Sequence, residues 1–133
     1  MTNLTKINSI IAVGGTIIAK ALGGWDMALQ VLVGVVVLDY ITGVLVAISQ
    51  KRLSSEIGYK GILKKMMIFL LVYLAVLIEQ ATGTDILRLA VILFYIANEG
   101  ISILENAGKL DVPYPKVLRD VLAQLKDQGE GDV

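Results

Sequence analysis

The chain has 133 residues, which allows one domain at most, and 56% of them are hydrophobic, above the ~45–50% that is usual in soluble proteins. Only 18% are charged, and twelve basic residues balance twelve acidic ones, so the composition gives no overall charge for binding nucleic acid. His and Cys are both absent, which excludes histidine-based acid–base catalysis, cysteine nucleophiles, disulfides and Cys/His zinc sites. These figures predict a small membrane protein that is not an enzyme and carries no cofactor or metal.

The first apolar segment covers residues 7–22 and contains a few polar residues. Sixteen helical residues reach about 24 Å, which is short of the ~30 Å hydrocarbon core of a bilayer. If Lys6 and Lys20 extend to the two interfaces, the segment spans the membrane; if they do not, it is a helix lying in the interface. A cleaved signal peptide is disfavoured, because the residues from Gly23 to Trp25 offer no suitable cleavage site.

Three further segments, residues 27–50, 62–80 and 86–104, have the length and apolar character of membrane spans. The first carries a single charge, Asp39, and its Leu, Ile and Val side chains outweigh the ~2.5–3.5 kcal/mol that one central Asp costs on insertion. The sequence therefore predicts an all-α integral membrane protein with three transmembrane helices. An N-terminal hydrophobic helix, spanning or interfacial, precedes them, and a short amphipathic helix follows.

A basic segment, residues 51–65, separates the first two of these spans and contains one acid, Glu56; its basic members are Lys51, Arg52, Lys60, Lys64 and Lys65. The positive-inside rule places this segment in the cytoplasm, which puts residues 81–85 outside and the C-terminus inside. Lys64 and Lys65, at one end of the segment 62–80, are expected to extend to the interface. The basic residues either mark topology alone or also attract anionic lipid head groups.

Helix signals lie within the same basic segment. Ser54 or Ser55 is positioned to cap the helix that leads into the span 62–80. Gly58 and Gly61 follow, and they allow either close packing of a neighbouring helix or a bend.

A polar stripe runs along the last span, because residues spaced by seven, four, three and four fall within about 60° of one another on a helix. Its members are Arg88, Tyr95, Glu99, Ser102 and Asn106, with Ile92 as the one apolar residue of the same arc. A lipid-facing stripe of this kind is costly, so we expect it to face other helices, another subunit or water. Two interpretations stay open: a seam of hydrogen bonds between helices, or a surface that lines a pore or a subunit contact.

Asp39 lies near the midpoint of the span 27–50, and no Lys or Arg is evident at the same depth. We therefore expect it to be protonated, hydrogen-bonded or in contact with water. Thr42, Gly43 and Ala47 follow on the same side of the helix, and Gly43 and Ala47 have the spacing of small residues that lets helices approach closely. Together these four residues predict an association surface.

The chain becomes polar after Gly108, and Pro113 and Pro115 prevent the last span from continuing. An amphipathic helix is predicted next, to lie on the bilayer or to pack on a neighbouring subunit. Its apolar side carries Val117, Leu118, Val121, Leu122 and Leu125, and its polar side carries Lys116, Arg119, Asp120, Gln124, Lys126 and Asp127. The predicted division is a membrane domain over residues 1–108 and a cytoplasmic part over residues 109–133, which comprises the amphipathic helix and an acidic tail at residues 129–133.

Five sequence strings between residues 23 and 125 resemble the toxin-secretion/phage-lysis holin family of small membrane proteins. They are Gly-Gly-Trp-Asp at 23–26, Leu-Asp-Tyr-Ile-Thr-Gly at 38–43, Gly-Tyr-Lys-Gly-Ile-Leu-Lys-Lys at 58–65, Phe-Tyr-Ile-Ala-Asn-Glu-Gly-Ile-Ser-Ile-Leu-Glu-Asn-Ala-Gly at 94–108 and Pro-Tyr-Pro at 113–115. The fourth string is the longest and the most specific.

The resemblance implies a multi-pass protein of the host bacterial inner membrane that forms homo-oligomers. It also implies that the oligomers open lesions at a set time, through which an endolysin or a toxin leaves the cell. No catalytic residue is implied. The sequence leaves two alternative functions open. One is a small multidrug-type transporter, whose membrane carboxylates exchange protons for cations, and the other is an antiholin regulator.

Overall fold

A computed structural model describes residues 2–130 as five α-helices: α1 (Asn3–Ala21), α2 (Met27–Ser49), α3 (Ser55–Thr82), α4 (Leu87–Lys109) and α5 (Lys116–Glu130). The first four are long and apolar enough to cross a membrane. The predicted all-α class is therefore confirmed, and no strand occurs within the described residues.

The helix starts follow local capping chemistry. Asp26 accepts a hydrogen bond from the Leu29 backbone N–H at 3.0 Å, and Ser54 accepts one from the Ile57 N–H at 3.2 Å, so each side chain caps the helix after it. Gly83 ends α3 in the left-handed conformation with φ 78°, which only glycine adopts without strain. The prediction that Ser54 or Ser55 caps α3 is confirmed for Ser54.

Helix α4 lies at the centre of the fold and packs against α2, α3 and α5. The apolar core forms where these helices meet, and its largest fully buried side chains are Leu29 and Leu32 of α2, Val72 of α3 and Ile92 of α4. Helix α1 has no buried residue. Its 19 residues extend about 28 Å, slightly more than the sequence predicts, because the helix starts at Asn3.

The start of α3 corrects the prediction for the basic segment 51–65. Only Lys51 and Arg52 lie in the turn between α2 and α3, because the helix begins at Ser55 and includes Lys60 and both later lysines. At 1.5 Å per residue, Lys65 lies about 15 Å beyond the start of this 28-residue helix. It is therefore deep within α3 rather than at the end of a span.

The C-terminal helix α5 forms after the two prolines, as predicted, and it folds back along α4. Gly129 and Glu130, which the sequence assigns to an acidic tail, are the last residues of α5. The other three residues of that tail lie outside the described residues. The predicted domain boundary after residue 108 falls beside Lys109, where α4 ends.

Candidate functional site

Three charged side chains from three helices meet inside the bundle. The Lys65 Nζ atom of α3 lies 2.7 Å from Asp39 Oδ2 of α2 and 3.0 Å from Glu99 Oε2 of α4. Their side chains are 17%, 12% and 8% exposed respectively, so all three are largely removed from solvent. One ammonium group thus binds two carboxylates and links the three central helices.

Two polar residues complete what we call the polar cluster, which consists of Asp39, Thr42, Lys65, Glu99 and Asn106. The Asn106 amide donates to Thr42 Oγ1 at 2.8 Å and to Asp39 Oδ1 at 3.3 Å. The Thr42 hydroxyl donates to the Asp39 backbone carbonyl at 3.1 Å. Within residues 2–130, no buried side-chain nitrogen or oxygen lacks a hydrogen-bond partner, so the cluster meets the general requirement for burying polar groups.

The polar cluster corrects two predictions. Asp39 was expected to have no basic partner at its depth, and Lys65 was expected to extend to the interface. The two residues bind each other instead, because α3 continues for seven residues before the predicted span, so that Lys65 lies within the helix and points into the bundle at the level of Asp39. Lys64, one residue earlier, is exposed, since adjacent helical residues point about 100° apart.

Two cavities flank the polar cluster. One of about 230 Å³ is lined by Gly43, Ala47 and Asn106, and the other, of about 310 Å³, is lined by Tyr95 and Glu99. Asp39, Lys65 and Ser102 line both cavities. Most residues of the predicted stripe, together with Gly43 and Ala47 of α2, thus lie around one polar centre between α2, α3 and α4.

Tyr40 fits a notch in α3 that sequence reasoning described only in part. A Cβ atom added at Gly58 would lie 3.2 Å from the Tyr40 hydroxyl oxygen, and one at Gly61 would lie 3.7 Å from its ring. The two glycines therefore provide close packing, which was one of the two predicted roles. Their partner was not predicted, although two glycines three positions apart on a helix are a recognisable sign of a close contact.

Arg88, the first residue of the predicted stripe, belongs to a separate site. Its guanidinium group donates to both carboxylate oxygens of Asp26, at 2.8 and 3.1 Å, and to the backbone carbonyls of Leu22 and Gly24. Gly23 has φ 93° and lies against Arg88 so closely that a Cβ atom there would collide with the guanidinium. We call this site the Arg88 clasp; it fixes the turn between α1 and α2 to the start of α4.

The Arg88 clasp alters the acidity of its carboxylate. The hydrogen bonds from Arg88 hold the pKa of Asp26 below its usual range, because they favour the charged form. The Asp26 side chain is 52% exposed and the Arg88 side chain is 13% exposed, so water still reaches the carboxylate. The sequence did not indicate a role for Asp26. Arg88 and Glu99 share an angular position on α4, but they lie eleven residues apart along the helix and therefore meet different partners.

The remaining basic residues of the segment 51–65 are exposed. Lys51, Arg52, Lys60 and Lys64 all lie on the surface, and Lys60 forms a pair with Glu56 at 3.5 Å within the same helix. An exposed pair of this kind contributes little to stability. Residues 2–130 contain no group of three or more acidic side chains that could hold a metal ion.

Comparison with known proteins identifies the family. A model of the bacteriophage holin family matches residues 16–127. The chain belongs to this family. It is 38% identical over 95 residues to a protein of Bacillus phage phi105 named probable holin, and the match covers 71% of this chain and 70% of the phage protein.

Two further relatives come from Clostridium perfringens. Both are uncharacterised proteins that are 41% identical to this chain over 116 residues, covering 86% of this chain and 86% and 88% of the relatives. No solved structure matches the chain. Membership of the holin family, together with four helices of spanning length, identifies the chain as a membrane protein, and the whole polar cluster lies within the matched residues.

Proposed function

We propose that this protein is a holin that assembles into oligomers in the bacterial inner membrane and opens lesions that release an endolysin or a toxin. The observation that carries the proposal is the match to the holin family over residues 16–127, with the phage relative named probable holin. A single bundle of four spanning helices is too small to enclose a passage for a folded enzyme, so the proposed activity needs many copies.

The polar cluster suits the resting subunit of such an assembly. A charged group inside a membrane is costly unless it is paired, and Lys65 pairs with both carboxylates while Asn106 fills a further oxygen of Asp39. In the resting state we assign the cluster to the interhelical seam, the first of the two roles predicted for the stripe. The lesion-lining or subunit-contact role of these residues stays a prediction.

The same geometry argues against the transporter alternative. A transporter that exchanges protons for cations needs a carboxylate that a cationic substrate can reach. Lys65 already occupies the position between Asp39 and Glu99 where a cation would bind. The two carboxylates therefore serve the chain's own ammonium group.

The proposed orientation places the turn with Lys51 and Arg52 in the cytoplasm and the turn around Gly83 outside. We also propose that α1 spans the membrane, since its length of about 28 Å nearly equals a hydrocarbon core of ~30 Å. Because the chain lacks Cys, single cysteines at Asn3, Lys51 and Thr84 can be labelled in intact cells with an impermeant maleimide. Thr84→Cys should react at once, and the other two only after permeabilisation. Immediate labelling of Lys51→Cys would contradict the orientation, and immediate labelling of Asn3→Cys would contradict a spanning α1.

The function is tested by inducible expression in bacteria with and without a cytoplasmic endolysin, with the endolysin alone as the control. A holin stops growth and collapses the membrane potential abruptly, and it causes lysis only when the endolysin is present. Selective transport without loss of viability would favour the transporter. Unaffected growth, combined with delayed lysis by a second holin, would favour the antiholin.

A further inference from the structure

Helix α5 packs antiparallel along α4 at a distance that brings the two backbones close together. A Cβ atom added at Gly100 would lie 2.7 Å from the Leu122 side chain, and one at Gly129 would meet the backbone of Phe94 and Ala90. Leu125 packs against the apolar core, and the Lys126 ammonium lies 5.9 Å from the centre of the Phe94 ring. The close contact extends from Leu122 to Gly129, the second half of α5.

These contacts fix the depth of α5 beside α4. Leu122 lies level with Gly100, and Gly129 lies level with residues 90–94, so α5 runs alongside the middle of a spanning helix rather than beyond its end. If α4 crosses the bilayer, most of α5 is therefore at membrane depth.

The side of α5 that points away from α4 is polar. Lys116, Asp120, Gln124 and Asp127 fall within about 80° of one another on the helix, opposite the contact residues, and all four are exposed. Charged side chains at this depth are costly in lipid, whereas they are readily hydrated in water. The docked position of α5 is thus compatible with a membrane only where its outer side meets water.

The polar stripe of α4, unlike the polar side of α5, is not exposed to solvent. Its members Glu99 and Asn106 are buried, and their polar atoms are bound within the polar cluster. Exposing them to a passage requires breaking the ion pairs with Lys65. The polar side of α5 is already free, and it needs no rearrangement of the bundle to face water.

We propose that α5 stays docked on α4 and that its polar side forms the wall of the water-filled lesion. This inference rests on the proposed holin function, and it names the surface that contacts the passing protein. The exposed apolar residues Val117 and Val121, beside the polar side of α5, are then available to a neighbouring subunit. The polar side carries one basic residue, Lys116, and two acidic residues, Asp120 and Asp127, so each subunit contributes a small net negative charge to the wall.

The test is a reversible lock between α4 and α5 in the otherwise cysteine-free chain. In the double variant Gly100→Cys/Leu122→Cys, shortening Leu122 makes room for the new side chain at position 100, and the two thiols are placed to form a disulfide. After oxidation with copper–phenanthroline in cells, endolysin release is compared with that of the reduced variant. We expect the disulfide to form and release to show no loss.

Other outcomes of the lock experiment have distinct meanings. Failure of the disulfide to form, or a loss of release that a reducing agent restores, would overturn the proposal, because α5 would then have to leave α4. A reversible loss of release would instead support an α5 that covers α4 at rest or that lies on the bilayer surface. If the unmodified chain releases nothing, the proposed holin function itself fails.

A second measurement locates the polar side of α5. The native Trp25 is replaced by Phe, and Gln124→Trp then reports its surroundings in proteoliposomes of the locked chain. Aqueous iodide should quench this indole, and lipids brominated near the bilayer centre should not. Leu74→Trp, on an exposed apolar side of α3, is the matched control and should show the reverse. Strong quenching of Gln124→Trp by brominated lipid would show that the polar side faces lipid, and the proposal would be wrong.

Discussion

The polar cluster and the Arg88 clasp both join distant parts of the chain through ion pairs, but they differ in how much water reaches them. In the cluster, Asp39, Lys65 and Glu99 are all largely removed from solvent near the middle of the bundle. In the clasp, at the start of α4, Arg88 is mostly covered while Asp26 stays half exposed. If it loses its partner, the Asp26 carboxylate can therefore be rehydrated, whereas the carboxylates of Asp39 and Glu99 cannot.

Removing Lys65 should have the largest effect, because it leaves two carboxylates facing each other with no cation between them. Breaking a buried ion pair in this way costs about 3–5 kcal/mol. We expect Lys65→Ala to lower the free energy of unfolding by this amount in detergent micelles, measured by circular dichroism, and to abolish lysis.

Lys64→Ala is the matched control for this variant. Lys64 is the preceding residue and is exposed, so its removal should change stability very little. Equal losses in the two variants would contradict the assignment of Lys65 to the polar cluster.

The two carboxylates of the cluster should differ from each other. Asp39 accepts from both Lys65 and Asn106, whereas Glu99 accepts from Lys65 alone. Asp39→Asn should therefore cost about 1–3 kcal/mol, and Glu99→Gln should cost less, since each loses charge-assisted hydrogen bonds in proportion to its partners. Both should change the time of lysis in the inducible assay while membrane insertion is unaffected. Unchanged timing in both variants would remove the cluster from the lysis mechanism.

The sequence predicts much of the polar cluster. The wrong predictions for Lys65 and Arg88 have a common cause, since the partners of both residues are set by the packing between helices. The spacing of Glu99 and Asn106 on one side of α4 correctly indicates that they face other helices, because lipid is excluded on energetic grounds. Lys65 is different, since two adjacent lysines at the end of an apolar run have the pattern of side chains that reach the interface. Only the packing of α3 against α2 and α4 shows that Lys65 points inward.

The same reasoning explains why Arg88 and Glu99 were placed in one stripe. Helical periodicity gives the angle of a residue around the axis, and the two residues do share that angle. Periodicity does not show which residues of other helices or turns lie beside each position along the helix. The turn that supplies Asp26 and the carbonyl groups of Leu22 and Gly24 is fixed by tertiary packing between residues more than sixty positions apart.

Replacing Arg88 should have a smaller effect than replacing Lys65. Arg88→Ala removes hydrogen bonds to Asp26 and to two carbonyl groups, but Asp26 can regain water, so the expected loss is about 1–2 kcal/mol. Arg88→Lys should recover only part of this loss, because an ammonium group cannot bind a carboxylate and two carbonyls in the same planar arrangement. Thermal unfolding in micelles measures both variants, with the exposed Arg52→Ala as the control. Full recovery by Lys would contradict the observed geometry.

The smallest expected effect is the pH dependence of the clasp. Arg88 keeps the pKa of Asp26 below the value in the unfolded chain, so the pair stabilises the fold above the unfolded pKa of about 3.9 and ceases to do so as pH falls through the lower folded pKa. Because Asp26 is half exposed, this contribution should be below about 1 kcal/mol. Asp26→Asn retains an oxygen for capping α2 but removes the charge, so its stability should fall less than that of the parent between about pH 6 and pH 3. If Asp26→Asn loses as much stability as the parent over this range, the acid-sensitive part of the fold lies elsewhere, and the clasp is held by the two carbonyl groups rather than by the ion pair.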